Sequence, residues 1–251
     1  MELRLIHLYP DLMSLYGSYA NLSILKRYLE GLGNTVQVEA VAPGGEADLS
    51  GADFLFMGAG TERAQKAALA DFLRFGPTLK DLAKAGMPML FAGNAMELLG
   101  ASITCRRLPA GSPQREAFYE CIGLAGFTTV QEPRRLTGDV YGHTELYPEA
   151  VVGFMNKCGV IFGVETPLLS SVEMGWGNEG QGSPEGFHWK NVFASELTGP
   201  ILVKNPRLLE AAAAAVYGYR GETFPPERPR DTWAEQGFAV TAEQLRLRCE
   251  K

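Results

Sequence analysis

Apolar positions recur in two rhythms along this chain, and the change between them falls near Gly123. In the first part, short apolar runs alternate with amphipathic stretches. Leu3–Leu8 is a first strand ending at Tyr9-Pro10. Ser18–Leu32 follows as a helix with Leu22, Leu25, Leu29 and Leu32 on one face and Gly33 as its stop. Thr35–Ala40 alternates as a strand does. Asp53–Met57 is an apolar run entering Gly58-Ala59-Gly60, the pattern of a buried parallel strand feeding a glycine loop. Thr61–Phe75 and Thr78–Ala85 read as helices. The central stretch, Gly86–Gly100, reads as a buried strand (Met89–Ala92), a two-residue turn (Gly93-Asn94) and the start of a helix (Ala95–Leu99). This alternation predicts an α/β fold with a parallel sheet covered on both faces.

Beyond Gly123 the strands become short and Gly-punctuated: Arg135–Tyr141, Val151–Phe154 and Gly159–Gly163, with a polar loop over Gly175–Gly186. Such a run predicts antiparallel strands extending the sheet, with Cys158 near a strand end. Asn205–Tyr219, with its alanine run, is a strong helix. Pro225–Pro229 is a linker to a final short helix near Thr241–Arg248. No repeat interrupts this order. Residues 1–221 form one expected domain, and 222–251 a Pro-rich linker and C-terminal helix packed on it.

Composition narrows the function classes. With 251 residues and 46% hydrophobic content the chain can bury a full core. A net charge of −6 argues against nucleic acid or an anionic membrane as partner, since both attract basic faces. No apolar run reaches the ~18 residues of a membrane span, and the N-terminus lacks a signal peptide's regions. Cys105, Cys121, Cys158 and Cys249 are far apart and without CxxC spacing. Neither a disulfide frame nor a metal site is expected, nor any cofactor, and a reducing cytoplasm is the expected setting.

The candidate chemistry lies at the central turn. A strand turning sharply into a helix lifts the turn residue above the sheet edge, toward amides that suit a developing oxyanion. Nucleophilic enzymes place Ser or Cys there. This chain places Gly93 and then Asn94, and neither can attack a carbonyl.

Several strings carry a resemblance to one family. They are Tyr9–Gly17 with Asn21, the glycine loop Gly58–Gln65, Arg135–Asp139, Gly153–Asn156, Gly186–Val192 and Gly199–Pro206. In order and spacing they are similar to the CobB/CobQ-like glutamine amidotransferases. The nearest branch is the GatD type, the amidotransferase subunit of lipid II isoglutaminyl synthase. The resemblance spans nearly the whole chain. It implies a class I amidotransferase fold, a three-layer α/β/α sandwich. It also implies a Mur-ligase-like or other ATP-dependent amide-forming partner. The reaction it implies is glutamine hydrolysis by a Cys–His pair through a thioester.

Carried over residue by residue, the resemblance breaks at the chemistry. The family's elbow, Cys-Gly-Gly-Tyr-Gln-Leu-Leu-Gly, aligns with Gly93–Gly100, so Gly93 holds the nucleophile position and Glu97 the Gln position. The family's His before Gly-Pro aligns with Thr198. In the family's Gly-Phe-Glu-Asn-His-Gly-Gly, Glu has become Met155, His Lys157 and Gly Cys158, while Asn156 is kept. The resemblance therefore implies a frame without its two chemical partners.

Other roles remain open. Gly93-Asn94 is either a tight turn or a pair of amides beneath a ligand. Cys105 and Cys158 read as small hydrophobes, with a substitute nucleophile as the sharper alternative. His7 and His143 read as core or surface residues, and His188 lies on the wrong side of the strand Val192–Leu197, with a replacement base as the sharper alternative. Arg135 divides evenly between substrate handling and a surface ion pair. Asp11, Tyr16 and Asn21 read as structural. The candidate site for a small amide or carboxylate ligand is Gly60, Asn94, Glu97, Arg135, Asn156 and Lys157.

Overall fold

The computed structural model describes residues 1–106 and 116–250; Lys251, the last residue of the expected C-terminal segment, lies outside them. Four parallel strands follow the periodicity closely: β1 (Glu2–Leu8), β2 (Thr35–Val41), β3 (Phe54–Met57) and β4 (Met89–Ala92). Between them run α1 (Ala20–Gly31), α2 (Glu62–Phe72) and α3 (Gly76–Lys84). All four residues of β3 and of β4 are buried, because helices cover both faces of the sheet. Phe54 and Phe56 join Leu22, Leu25 and Leu29 of α1 in one apolar layer. Leu55 and Met57 join Ala68, Leu69 and Phe72 of α2 in the other. The strand period of two thus delivers alternate residues to opposite layers, giving the expected three-layer α/β/α sandwich.

The second half contributes β5 (Ser102–Cys105), β6 (Ala117–Glu120), β7 (Thr128–Thr144), β8 (Tyr147–Phe162) and β9 (Ser171–Met174). Next come β10 (Phe187–Trp189), β11 (Val192–Ser195) and β12 (Leu197–Thr198). The helices α4 (Ile201–Lys204), α5 (Pro206–Tyr219) and α6 (Thr232–Cys249) complete the chain. β11 returns to the first sheet beside β4, in the order β10-β11-β4-β3-β1-β2 with only β10 antiparallel. The remaining strands form a second sheet, β12-β8-β7-β5-β6, with β9 on β7. No helix among the described residues is long and apolar enough to cross a membrane.

Four local expectations need correction. The segment expected as a turn and a helix start is one seven-residue 3-10 helix, Gly93–Leu99, which opens with Gly93 in a left-handed conformation. Ala95, Met96, Leu98 and Leu99 are all buried, so the segment has no solvent face, and extended Gly100 sends it straight into β5. The supposedly short strands are one hairpin of 17 and 16 residues. Gly153 and Gly159 mark close approach, not breaks: a Cβ at Gly153 would lie 2.8 Å from Leu197 Cδ1, and one at Gly159 2.3 Å from Glu97 Oε1. Cys158 consequently sits inside β8, not at a strand end. Finally, the last helix runs 18 residues from an Asp231 cap whose Oδ1 accepts from Ala234 N at 3.1 Å. It buries only Leu245 fully, so no broad apolar stripe announced its first half.

Candidate functional site

Parallel strands bring the loops that follow them to one sheet edge, where α/β proteins bind ligands. Here β1, β3, β4 and β11 deliver Tyr9–Gly17, the Gly58–Thr61 loop, Gly93 and the Glu196–Pro200 segment to that edge. The glycine loop lies against the segment after β1: Leu15 N donates to Ala59 O at 2.8 Å, and Ala59 N to Ser18 Oγ at 3.2 Å. A Cβ at Gly58 would lie 2.4 Å from Met13 O, so only glycine permits this approach.

The elbow backbone keeps a left-handed turn, with Gly93 at φ +64°. A Cβ built there would stand 2.6 Å from Ala59 Cβ, and Ala59 is held at both its N and its O. Asn94 is spent on the same loop: its Oδ1 accepts from Gly60 N at 2.9 Å, and its Nδ2 donates to Gly60 O at 3.0 Å.

Glu97 is buried beneath the elbow. Gln65 Nε2 donates to its Oε2 at 2.8 Å, and Gln131 Nε2 donates to the same oxygen. Lys66 Nζ donates to Gln131 Oε1 at 2.8 Å, bringing a cation to the rim of this network. Burial pushes the Glu97 carboxyl up, against the opposing pull of Lys66, the two glutamines and Lys157. Across from it, Lys157 donates from Nζ to Gly177 O at 2.7 Å and Asn178 O at 3.3 Å. Burial lowers its pKa, while Glu196, Glu185 and Glu97 act to raise it.

Two further acids complete the cluster. Glu185 takes Ser195 Oγ at 2.8 Å and Glu196 N at 2.7 Å, and burial pushes its carboxyl up to about 7. Burial also raises the Glu196 carboxyl well above its usual range, with repulsion from Glu97 adding to it. Its buried Oε1 finds no hydrogen-bond donor among the described residues.

At the mouth, Arg135 donates from Nε to Asn156 Oδ1 and from Nη2 to Asn156 O, both at 2.6 Å, and pairs with Glu62. Asn156 Nδ2 reaches Tyr16 Oη at 2.8 Å, and Cys158 Sγ reaches Glu62 Oε1 at 3.3 Å. Burial pushes the Glu62 carboxyl up, but the hydrogen bonds from Arg135 and Cys158 prevail and hold it below its usual value. Thr198 Oγ1 donates to Phe154 O at 3.0 Å across the β12–β8 pair.

The structure therefore gathers Gly60, Asn94, Glu97, Arg135, Asn156 and Lys157 around one cavity, with Thr198 also on its wall. The free space is only about 10 Å³, the least that admits one water. Among the described residues it is lined by one thiol, Cys158, and by no imidazole. His7 lies under α1 at 5.1 Å from the Phe56 ring, His143 pairs with Glu173 at 3.1 Å, and His188 stacks on Phe193. Cys105 lies at the end of β5. Asn21 is structural: its Oδ1 accepts from Leu202 N at 2.9 Å. Tyr16 belongs to the cavity wall, which its sequence context did not announce. Glu185, Glu196 and Gln131 escaped the sequence reading altogether. Only Glu196 carried a signal, a carboxylate directly after the apolar strand β11; Glu185 lies in the polar loop and Gln131 among polar neighbours.

Residues 4–206 match the CobB/CobQ-like glutamine amidotransferase domain. The chain is 31% identical over 223 residues to the GatD subunit of a glutamine-hydrolysing lipid II isoglutaminyl synthase from Streptococcus pneumoniae, covering 86% of this chain and 83% of that one. It is 27% identical over 226 residues to the GatD subunit from Staphylococcus aureus, covering 90% and 89%. Among solved structures, a glutamine amidotransferase from Thermotoga maritima superimposes with a TM-score of 0.48 at 10% identity, over 97% of this chain and 95% of that one.

Proposed function

The chain belongs to the CobB/CobQ-like glutamine amidotransferase family, and from that premise we propose that it is a subunit without glutaminase activity, serving an amide-forming enzyme. One observation carries this reading: the cavity beneath the elbow is nearly closed by polar side chains, and among the described residues it offers no thiol–imidazole pair. Thioester chemistry needs a thiolate in reach of a base and room for the glutamine side chain. Gly93 has no side chain, Thr198 is tied to Phe154 O, and Cys158 stands against a carboxylate, which disfavours a thiolate.

Its partner, on this reading, is a Mur-ligase-like or other ATP-dependent amide-forming subunit, and the substrate a peptidoglycan precursor. Support comes from the relatives, which are subunits of lipid II isoglutaminyl synthase. Leu15, Tyr16, Tyr19 and Phe154 are exposed apolar residues near the cavity mouth and suit a docking face. The experiment is ammonia release from glutamine by the purified chain, alone and with the ligase subunit. No release is expected, and the complex should form its amide from ammonium but not from glutamine. Glutamine turnover that disappears on Cys158→Ser would overturn the reading.

A second reading, altered chemistry in the same cavity, draws on one observation, the unpartnered Oε1 of buried Glu196. Thermal-shift screening with glutamine, glutamate and cell-wall precursors separates the two. Saturable stabilisation by one of these, lost in Glu196→Gln, favours the second.

A further inference from the structure

The cavity beneath the elbow is closed toward solvent by side chains. Tyr16, Glu62, Arg135 and Asn156 line it there, and they come from four separate segments: the stretch after β1, the first turn of α2, β7 and β8. Tyr16 is 43% exposed, whereas Glu97, Lys157 and Glu196 on the inner wall are buried. Asn156 is the hub of the outer wall. Its Nδ2 donates to Tyr16 Oη at 2.8 Å, while its Oδ1 and O accept from Arg135 Nε and Nη2 at 2.6 Å. Arg135 pairs in turn with Glu62, whose Oε1 accepts from Cys158 Sγ at 3.3 Å. Behind this chain of contacts, Glu196 Oε1 finds no donor among the described residues.

Two backbone features lie under the same side chains. Tyr16 holds a left-handed conformation, φ +59° and ψ +24°, which is costly for a bulky aromatic residue. Strain of this kind concentrates at clamps and switch regions. The second feature is a bulge in β7. Gln131 pairs with Gly159 and Leu136 with Lys157, so Glu132–Arg135 stand opposite Cys158 alone. Pro133 lies in that stretch and has no N–H to give a ladder. The bulge takes Arg135 out of the strand pairing and aims its guanidinium across the cavity mouth.

We propose that Tyr16, Asn156, Arg135 and Glu62 form a latch that holds the elbow cavity shut. Latched, the cavity has about 10 Å³ of free space, the least that admits one water. It opens when the β7 bulge carries Arg135 away from Asn156 and Glu62 and the Tyr16 ring turns aside, with Gln131 and Leu136 still paired to β8. Glu97, Lys157 and Glu196 then face solvent and a small amide or carboxylate ligand. Strain released at Tyr16 offsets part of the hydrogen bonding lost, which keeps the open form within thermal reach. The inference takes from the proposed function only that this cavity is the functional site. The two are tested apart, loss of glutaminase by ammonia release and the latch by the accessibility of Cys158.

Cys158 lies directly beneath the latch and is buried, so its reaction with iodoacetamide reports opening. Peptide mass spectrometry of the native full chain follows alkylation at Cys158 separately from Cys105, Cys121 and Cys249. In the parent the reaction should be slow. Its rate should stay flat in urea well below the unfolding midpoint, because opening a side-chain latch exposes little surface. Tyr16→Phe removes one hydrogen bond and should speed the reaction about fivefold, and Asn156→Ala removes both side-chain bonds of the hub and should speed it about tenfold or more. Unchanged Cys158 rates in both variants, with melting as in the parent, overturn the proposal. So does a parent rate that climbs with urea in step with global unfolding, a result that needs no variant to fold.

Discussion

At the scale of single residues, the elbow turns on a contact of one methyl group. A cysteine at Gly93 would meet Ala59 Cβ at 2.6 Å and must hold φ +64°, so Gly93→Cys should destabilise the chain by about 1–3 kcal/mol. Urea unfolding measures that cost. The same variant should release no ammonia from glutamine, because no imidazole lines the cavity among the described residues. Two buried groups set opposing pH dependences. Glu185 has its pKa raised from 4.5 to about 7, so its stabilising contribution is complete below 4.5 and is lost as pH rises through 7. His7 is lowered from 6.5 to about 4 by burial, so its contribution is present above 6.5 and is lost as pH falls toward 4. Between those limits the two slopes oppose each other, and each variant should unmask the other. In denaturant midpoints against pH, Glu185→Gln should steepen the rise in stability between pH 4 and 6.5, and His7→Phe should steepen the fall between 4.5 and 7. Parallel profiles for parent and variants would refute the assignment.

At the scale of elements, the site depends on where the long β7–β8 hairpin meets the first sheet's loops. β8 is anchored from behind by Asn205, buried at the α4–α5 junction. Its Oδ1 accepts from Val152 N at 2.8 Å, and its Nδ2 donates to Val152 O and Ile201 O, each at 2.9 Å. Asn205→Ala leaves the buried Val152 amide and carbonyl unpaired and should cost about 2–4 kcal/mol. Hydrogen exchange at Val152 should accelerate before global unfolding. On the site side of the same strand, Asn156, Lys157 and Cys158 meet the Arg135 and Glu97 networks. This placement was half legible from sequence. The Gly153–Cys158 string was identifiable as a unit, but its strand length was not, because glycines that permit close packing look like glycines that end strands.

At the scale of the whole molecule, α6 is a late addition to a layered core that already encloses β1, β3, β4 and β11. Removing residues 222–251 exposes Tyr141, Ala150 and Val152 and forfeits Leu245, which should cost about 2–4 kcal/mol but leave cooperative unfolding intact. Calorimetry of the truncated chain measures this, and loss of cooperativity would show that the core depends on the helix. The sequence by itself determined the parallel strands and their helices, because alternate burial at period two and stripes at period 3.6 are local properties of the chain. Through the ordered strings that resemble the family, it also gave the expectation that Gly93 and Thr198 stand at the elbow and base positions. Only the tertiary structure decided that Gly60, Asn94, Glu97, Arg135, Asn156 and Lys157 close on one another around a nearly filled cavity, with Glu185 and Glu196 behind them. Those residues come from loops, a 3-10 helix and the β7–β8 hairpin, far apart in the chain. Their mutual satisfaction depends on distances of a few tenths of an ångström, which no periodicity encodes.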